Sequence, residues 1–496
     1  MERSPPISHC TDLDQYGAGL RGAACTWLAE IVLKGLSMQT ITQDLARYAS
    51  SLELTEIPTR ARDAARIGMT DCVATMIAGR NEHGPRAIAA LLGNQAEGRR
   101  RALCIVDGRM LTPADAALAN GTAGHVLDYD DVALSGHPSA VLTPAILALG
   151  TAHGVSGATA IRAYAAGYEV WAALQSAKPG QLHDVGLHPT AVLGTVAVAA
   201  ACSVILNSDS KTSAHALAIS ASLAAGLTVN FGTMTKAFQV GRAAQSGVMA
   251  AELAANGFTG APDVFEHPRG FLVAMSAVRD GTDRFALPRG ADRLADTGVN
   301  VKRYPTCYAT HRAIDAMLEL TVAHDLAPED VQLIEVEIGE SQHRMLRNPV
   351  PRTGLEARFS IEFAMAAALV ARCVGLGQLQ DDFVLREDVQ YILSKVRVTT
   401  TDARMEGDET FAPADRVRVM TVHGRQLDHS PVTHAHGSWQ NPLTEVELAA
   451  KFIDCTARDI GKAAATALFK SMMGLERVAS IGDLPLFIPE FGKRKC

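Results

Sequence analysis

Between Thr40 and about Gly257, apolar residues recur at i, i+3 and i+4, and alanine fills many of the inward positions. That is the period of helices packed closely on one another. It predicts helices over Thr40–Leu52, Pro58–Ile77, Pro85–Leu92, Pro113–Val126, Ala140–Gly150, Gly157–Leu174, Ala191–Leu206, Ser213–Ala224 and Gly241–Ala255, with breakers such as Gly79, Gly136-His137-Pro138 and Gly257 between them. Near Val301 the period changes. Ile334–Ile338, Val396–Val398 and Val417–Val419 alternate apolar with polar residues, which predicts half-buried antiparallel strands. Helical spacing over Tyr308–His324 and Ile361–Val374 accompanies them, and it returns over Leu443–Phe452 and Ile460–Met473. The chain therefore reads as mainly α: a large all-helical domain over 38–300, a smaller α+β lid domain over 301–440, and C-terminal helices over 441–496 that return to the first domain. Residues 1–37 are turn-rich, with one short amphipathic stretch at Ala24–Leu36, and read as a disordered extension.

Composition narrows the function without naming it. Over 496 residues, 46 Lys+Arg stand against 53 Asp+Glu, a formal charge of −7, so the basic stripe that nucleic acid requires is lacking. The nine cysteines are odd in number and contain no CxxC, which predicts reduced thiols and a cytoplasmic protein. No clean apolar run reaches the ~20 residues of a membrane span, and no phosphate-binding glycine loop follows a strand.

Four segments carry candidate chemistry. The first, GTAGHVLDYDDVALSGHPSAVLTPA, holds His125, Asp128, Asp130, Asp131 and His137. Taken alone it reads as a charged loop, with an acid/base network as the sharper alternative and a metal site as the weakest, because the carboxylates are crowded and no HExxH accompanies them. The second, around His188-Pro189-Thr190, repeats the grammar of His137-Pro138-Ser139: a histidine, then a proline suited to the first helical position, then a hydroxyl and an apolar helix. Such helix starts present free N–H groups to an anion. The third, Asn230–Lys236, is a polar turn ahead of a helix. The fourth, Lys302–His311, places Cys307 and His311 four residues apart with no third ligand, so Cys307 reads as structural.

In their order along the chain, LDYDD with GHPSAVLTPA, LHPTAVLG, FGTMTK with GRAA, KRYPTCYATH and ARFSIEF resemble the MmgE/PrpD family, which includes 2-methylcitrate dehydratases, cis-aconitate decarboxylases and iminodisuccinate epimerases. The resemblance runs from about Met38 to the C-terminus. It implies a helical domain with a lid, a homodimer, and a site between the domains that uses neither metal nor cofactor. By position it implies catalytic roles for Asp128, His137, His188, Lys236 and His311, and substrate contacts from His137, His188, Thr235, Lys236 and Tyr308. The implied reaction is a lyase reaction, dehydration or decarboxylation beside a carboxylate of a small di- or tricarboxylic acid. Two departures stand out: Gln239 where many members have a histidine, and Phe363 where decarboxylase-like members have a tyrosine. The Phe359–Glu362 stretch is nearer the epimerase branch, so an epimerase and an inactive carboxylate-binding homologue are the alternatives.

Overall fold

The computed structural model describes residues 40–93, 101–177, 182–275, 285–406 and 410–486. The proposed extension at 1–37 lies outside them, as does the end of the C-terminal segment. The helical part comprises α1 (Ile41–Ser51), α2 (Thr59–Gly79), α3 (His83–Leu91), α4 (Pro113–His125), α5 (Pro138–His153), α6 (Gly157–Ala177), α7 (Pro189–Ile205), α8 (Ser210–Leu223) and α9 (Met234–Ala255). A short antiparallel ladder, β1 (Ala102–Leu103) with β2 (Met110–Leu111), precedes α4. No periodic pattern had flagged these two-residue strands.

Proline sets three helix starts. Pro113 follows the cap Thr112, whose hydroxyl accepts from Asp115 N at 3.2 Å, while Pro138 and Pro189 follow His137 and His188 at the cap positions. A first-turn proline loses no helical bond because its N–H would be unpaired there anyway. Alanine recurs among the buried positions between these starts and the helix ends, which lets the axes come close. A close approach joins α4 to α9. A Cβ on Gly241 would sit 2.3 Å from Leu118 O, and one on Gly121 would sit 3.0 Å from Gly241 Cα. That contact brings the first turn of α9 beside the chain leaving α4.

The second part contains α10 (His311–Ala323), β3 (Val331–Gly339), α11 (Glu340–Met345), α12 (Ile361–Ala371), α13 (Glu387–Leu393), β4 (Val396–Thr401), β5 (Arg416–Thr421) and β6 (Gln426–Asp428). The sheet order is β4-β3-β5-β6. The expectation of antiparallel strands throughout needs correction: β3 pairs with β4 in parallel, Ile334 opposite Val396, whereas β3–β5 and β5–β6 are antiparallel. Alternation reports one buried face and is blind to strand direction. The sheet packs on α10, α12 and α13 through its own core, built around Ile314, Val336, Phe363 and Ile392. The larger core gathers the helical part together with Leu448 and Phe452 of α14 (Glu445–Ile460) and Leu468 and Met472 of α15 (Lys462–Met473). The last helices thus pack on the helical part, α14 mainly against α2.

Candidate active site

Asp128 follows the end of α4 with φ +50°, a left-handed conformation that aspartate tolerates better than most residues. Lys302 pins it there. Its ammonium donates to Asp128 O at 2.8 Å and lies 3.1 Å from Asp128 Oδ1. Lys236 Nζ donates to the same Oδ1 at 2.7 Å. Burial alone would push the Asp128 carboxyl up, but Lys236 and Lys302 together outweigh it and hold the group well below the usual carboxylate range.

Asp130 organises the histidines. His125 Nδ1 lies 2.9 Å from Asp130 Oδ1, and His137 Nδ1 lies 3.0 Å from both Asp130 Oδ2 and Asp131 O. Nδ1 of His137 is spent on these acceptors, and its Nε2 lies 3.9 Å from Asp128 Oδ1. The rings of His125 and His137 meet edge to face at 4.4 Å. His137 N also donates to Thr190 Oγ1 at 3.2 Å, which ties the start of α5 to the start of α7. His188 Nδ1 lies 2.8 Å from Gln239 Oε1, and Gln239 Nε2 donates to Leu227 O at 3.2 Å. The amide is thereby oriented so that His188 carries its proton on Nδ1 and offers Nε2 as a base. Burial first, then Lys236, push His188 well below the usual histidine range, while burial takes His125 down to about 4. Both are neutral at pH 7.

Aromatic rings roof this cluster. Lys236 Nζ lies 5.2 Å from the ring centres of both Phe231, from the helical part, and Phe359, from the lid, and the two rings stack at 6.5 Å. His188 meets Phe231 edge-on at 4.9 Å. A buried ammonium between two apolar rings is poorly hydrated and strongly attracts an anionic group.

The structure thus brings together Asp128, His137, His188 and Lys236. Lys236 was expected in a turn ahead of the helix. It is instead buried in the first turn of α9, where Thr233 caps the backbone through Thr235 N at 3.2 Å. Thr235 itself is exposed. His311, fully buried, starts α10 between Tyr304 and Tyr308, with ring centres 5.1 and 4.9 Å away. Its Nε2 lies 3.4 Å from Thr306 O, its Nδ1 has no partner, and the charges of Lys302 and Asp128 act on it. Tyr308 also packs on Phe411, in the lid. Phe363 is buried in the lid core, 6.4 Å from Phe383 between ring centres.

Sequence reasoning had not singled out Lys302 or the orienting roles of Asp130 and Gln239. A lysine gives no local sign that it will be buried, although Asp130 lay inside the candidate segment. The ligand atoms of His125, Asp128, Asp130 and His137 lie within 4.8 Å of one another, close enough to hold a metal. Their present partners argue otherwise: Asp128 is covered by two ammonium groups and Asp130 accepts from two imidazoles, which leaves a cradle suited to an anion.

Residues 43–282 match the MmgE/PrpD N-terminal domain, and residues 304–474 match the MmgE/PrpD C-terminal domain. Among similar proteins is the cis-aconitate decarboxylase of Homo sapiens, 29% identical over 384 residues that cover 74% of this chain and 77% of the relative. That of Mus musculus is 28% identical over 69% of this chain and 71% of its own. A cis-aconitate decarboxylase of Aspergillus terreus is 22% identical over 90% of this chain and 95% of its own.

Proposed function

The chain belongs to the MmgE/PrpD family, whose two domains it matches in order, and from that premise we propose that it is a lyase acting beside a carboxylate of a small tricarboxylic acid of the cis-aconitate kind, without metal or cofactor. The observation that carries this reading is the buried Lys236–Asp128–Lys302 cluster flanked by His137 and His188. The two lysines balance Asp128 and Asp130, so an incoming carboxylate meets Lys236 and the N–H groups at the helix starts without facing a net negative wall. In decarboxylation the bond to the departing carboxylate breaks, carbon dioxide leaves, and the electron pair stays on carbon as a carbanion conjugated with the remaining unsaturated acid. A proton delivered to carbon by the Lys236 ammonium completes the reaction with no net oxidation. His137 and His188, each with Nδ1 engaged and Nε2 open, can exchange that proton. Asp128 holds Lys236 in place through the 2.7 Å contact to its Oδ1.

The decarboxylase names of the relatives support decarboxylation over dehydration. Incubation with cis-aconitate in deuterated buffer, followed by NMR, tests this. Release of carbon dioxide with deuterium at one carbon of an olefinic product is expected. Deuterium exchange with inverted stereochemistry and no carbon dioxide would establish an epimerase instead, and binding without turnover an inactive homologue. Lys236→Ala and His188→Ala should each lower turnover at least ~100-fold.

We also propose a homodimer in a reducing, cytoplasm-like compartment. Leu227, Val229, Met234 and Phe238 leave apolar surface exposed beside the site, which supports a partner face. The six described cysteines are unpaired. No helix among the described residues is long and apolar enough to cross a membrane.

A further inference from the structure

A cavity of about 280 Å³ opens between the helical part and the lid, near the lower end of the ~300–1,000 Å³ range of small-molecule sites. His183, Thr228 and Phe231 form one wall, and Ser341, Arg344 and Arg347 line the other. Phe231 belongs to this cavity and equally to the roof over Lys236 and His188, so the cavity and the catalytic cluster share a side chain. The walls also approach each other at Gly232, whose Cβ would lie 3.8 Å from Asn348 Nδ2.

The charge of this cavity opposes that of the protein. The described lining residues include Arg344 and Arg347, and Asp184 is the one carboxylate among them. Arg344 and Arg347 are exposed. Arg344 donates to the neutral Ser341 Oγ at 3.1 Å, and neither it nor Arg347 is in an ion pair with a described carboxylate. On a chain of net charge −7, two guanidinium groups that line one cleft and pair with no described carboxylate form a local positive field that draws in anions, and their forked donors fit a carboxylate.

We propose that this cavity is a second anion subsite, in which Arg344 and Arg347 take a carboxylate remote from the reacting carbon while Lys236 and the histidines hold the reacting end. The inference rests on the polycarboxylate reading above and adds what selects a tricarboxylate over a dicarboxylate.

Calorimetric titration of the full chain with propane-1,2,3-tricarboxylate and with glutarate, at low and at raised salt, tests it independently of turnover. The wild type is expected to bind the tricarboxylate at least tenfold more tightly, with the gap narrowing as salt screens it. Arg344→Gln/Arg347→Gln should weaken tricarboxylate binding at least tenfold and glutarate binding less than twofold. Arg344→Lys/Arg347→Lys should recover part of the loss. Both residues are exposed, so unchanged thermal unfolding of the variants is expected. Equal tricarboxylate affinity in wild type and the glutamine variant would overturn the subsite, even if cis-aconitate is turned over. Arginine-dependent binding with no turnover of any tested acid would instead overturn the lyase reading and leave the subsite standing.

Discussion

Lys302→Met tests whether the second lysine holds the site together. Lys302 is 1% exposed, and its ammonium reaches both the carbonyl and the carboxylate of Asp128. Removing one partner of a buried ion pair costs about 3–5 kcal/mol, because the remaining charge stays out of water. The orphaned Asp128 carbonyl would add about 1 kcal/mol or more. Lys236 still compensates Asp128, so the lower half of the combined range, about 4 kcal/mol, is the expected loss in urea unfolding. Asp128→Asn alone leaves the two lysines facing one neutral amide and should cost a similar amount, since asparagine also tolerates the left-handed backbone. The double variant restores charge parity, with Lys236 against Asp130. It should therefore lose less than the two single losses added together, by about 2 kcal/mol, within the range of directly coupled neighbours. Activity should be lost in all three. A loss under about 1 kcal/mol for Lys302→Met, or additive losses in the double variant, would refute the claim that Lys302 and Asp128 form one electrostatic unit.

Gln239→Glu places a carboxylate on His188 Nδ1 and so favours the imidazolium; the acid limb of the pH–rate profile should move to higher pH, and an unmoved limb would show that His188 does not titrate in catalysis. The stability contributed by His125 and His188 should fall as pH drops from about 6.5 towards 4, because the unfolded chain protonates its histidines over that window while His125, held at about 4, and His188 stay neutral in the fold, whereas the raised carboxyls of Asp131 and Glu169 act in the opposite sense; the difference in thermal unfolding against pH between the wild type and His188→Gln isolates it. Below that window the loss should continue as Asp128 and Asp130, both held well below the usual carboxylate range, are titrated. Gly241→Ala drives a methyl group against Leu118 O, and overpacking of about 1–3 kcal/mol should separate α4 from α9, lowering both melting temperature and turnover.

Local patterning determined the helical character from Thr40 to Gly257, the change of period near Val301, and the two His-Pro helix starts, because helix period and proline geometry are properties of neighbouring residues. It also marked the segments containing Asp128, His137, His188 and Lys236, and the family resemblance supplied their roles. Tertiary structure alone decided which charges share a bond. Lys236 meets a residue 108 positions away, Lys302 one 174 positions away, and Gln239 one 51 positions away. Gln239, read from the sequence as a lost acid or base, is an acceptor that sets the tautomer of His188. Phe363, read as a missing phenol, belongs to the lid core. The parallel pairing of β3 with β4 was equally hidden, since alternation is identical in either direction. Each of these outcomes depends on which surfaces pack, and a buried lysine has the same local sequence as a solvated one until a distant carboxylate is folded against it.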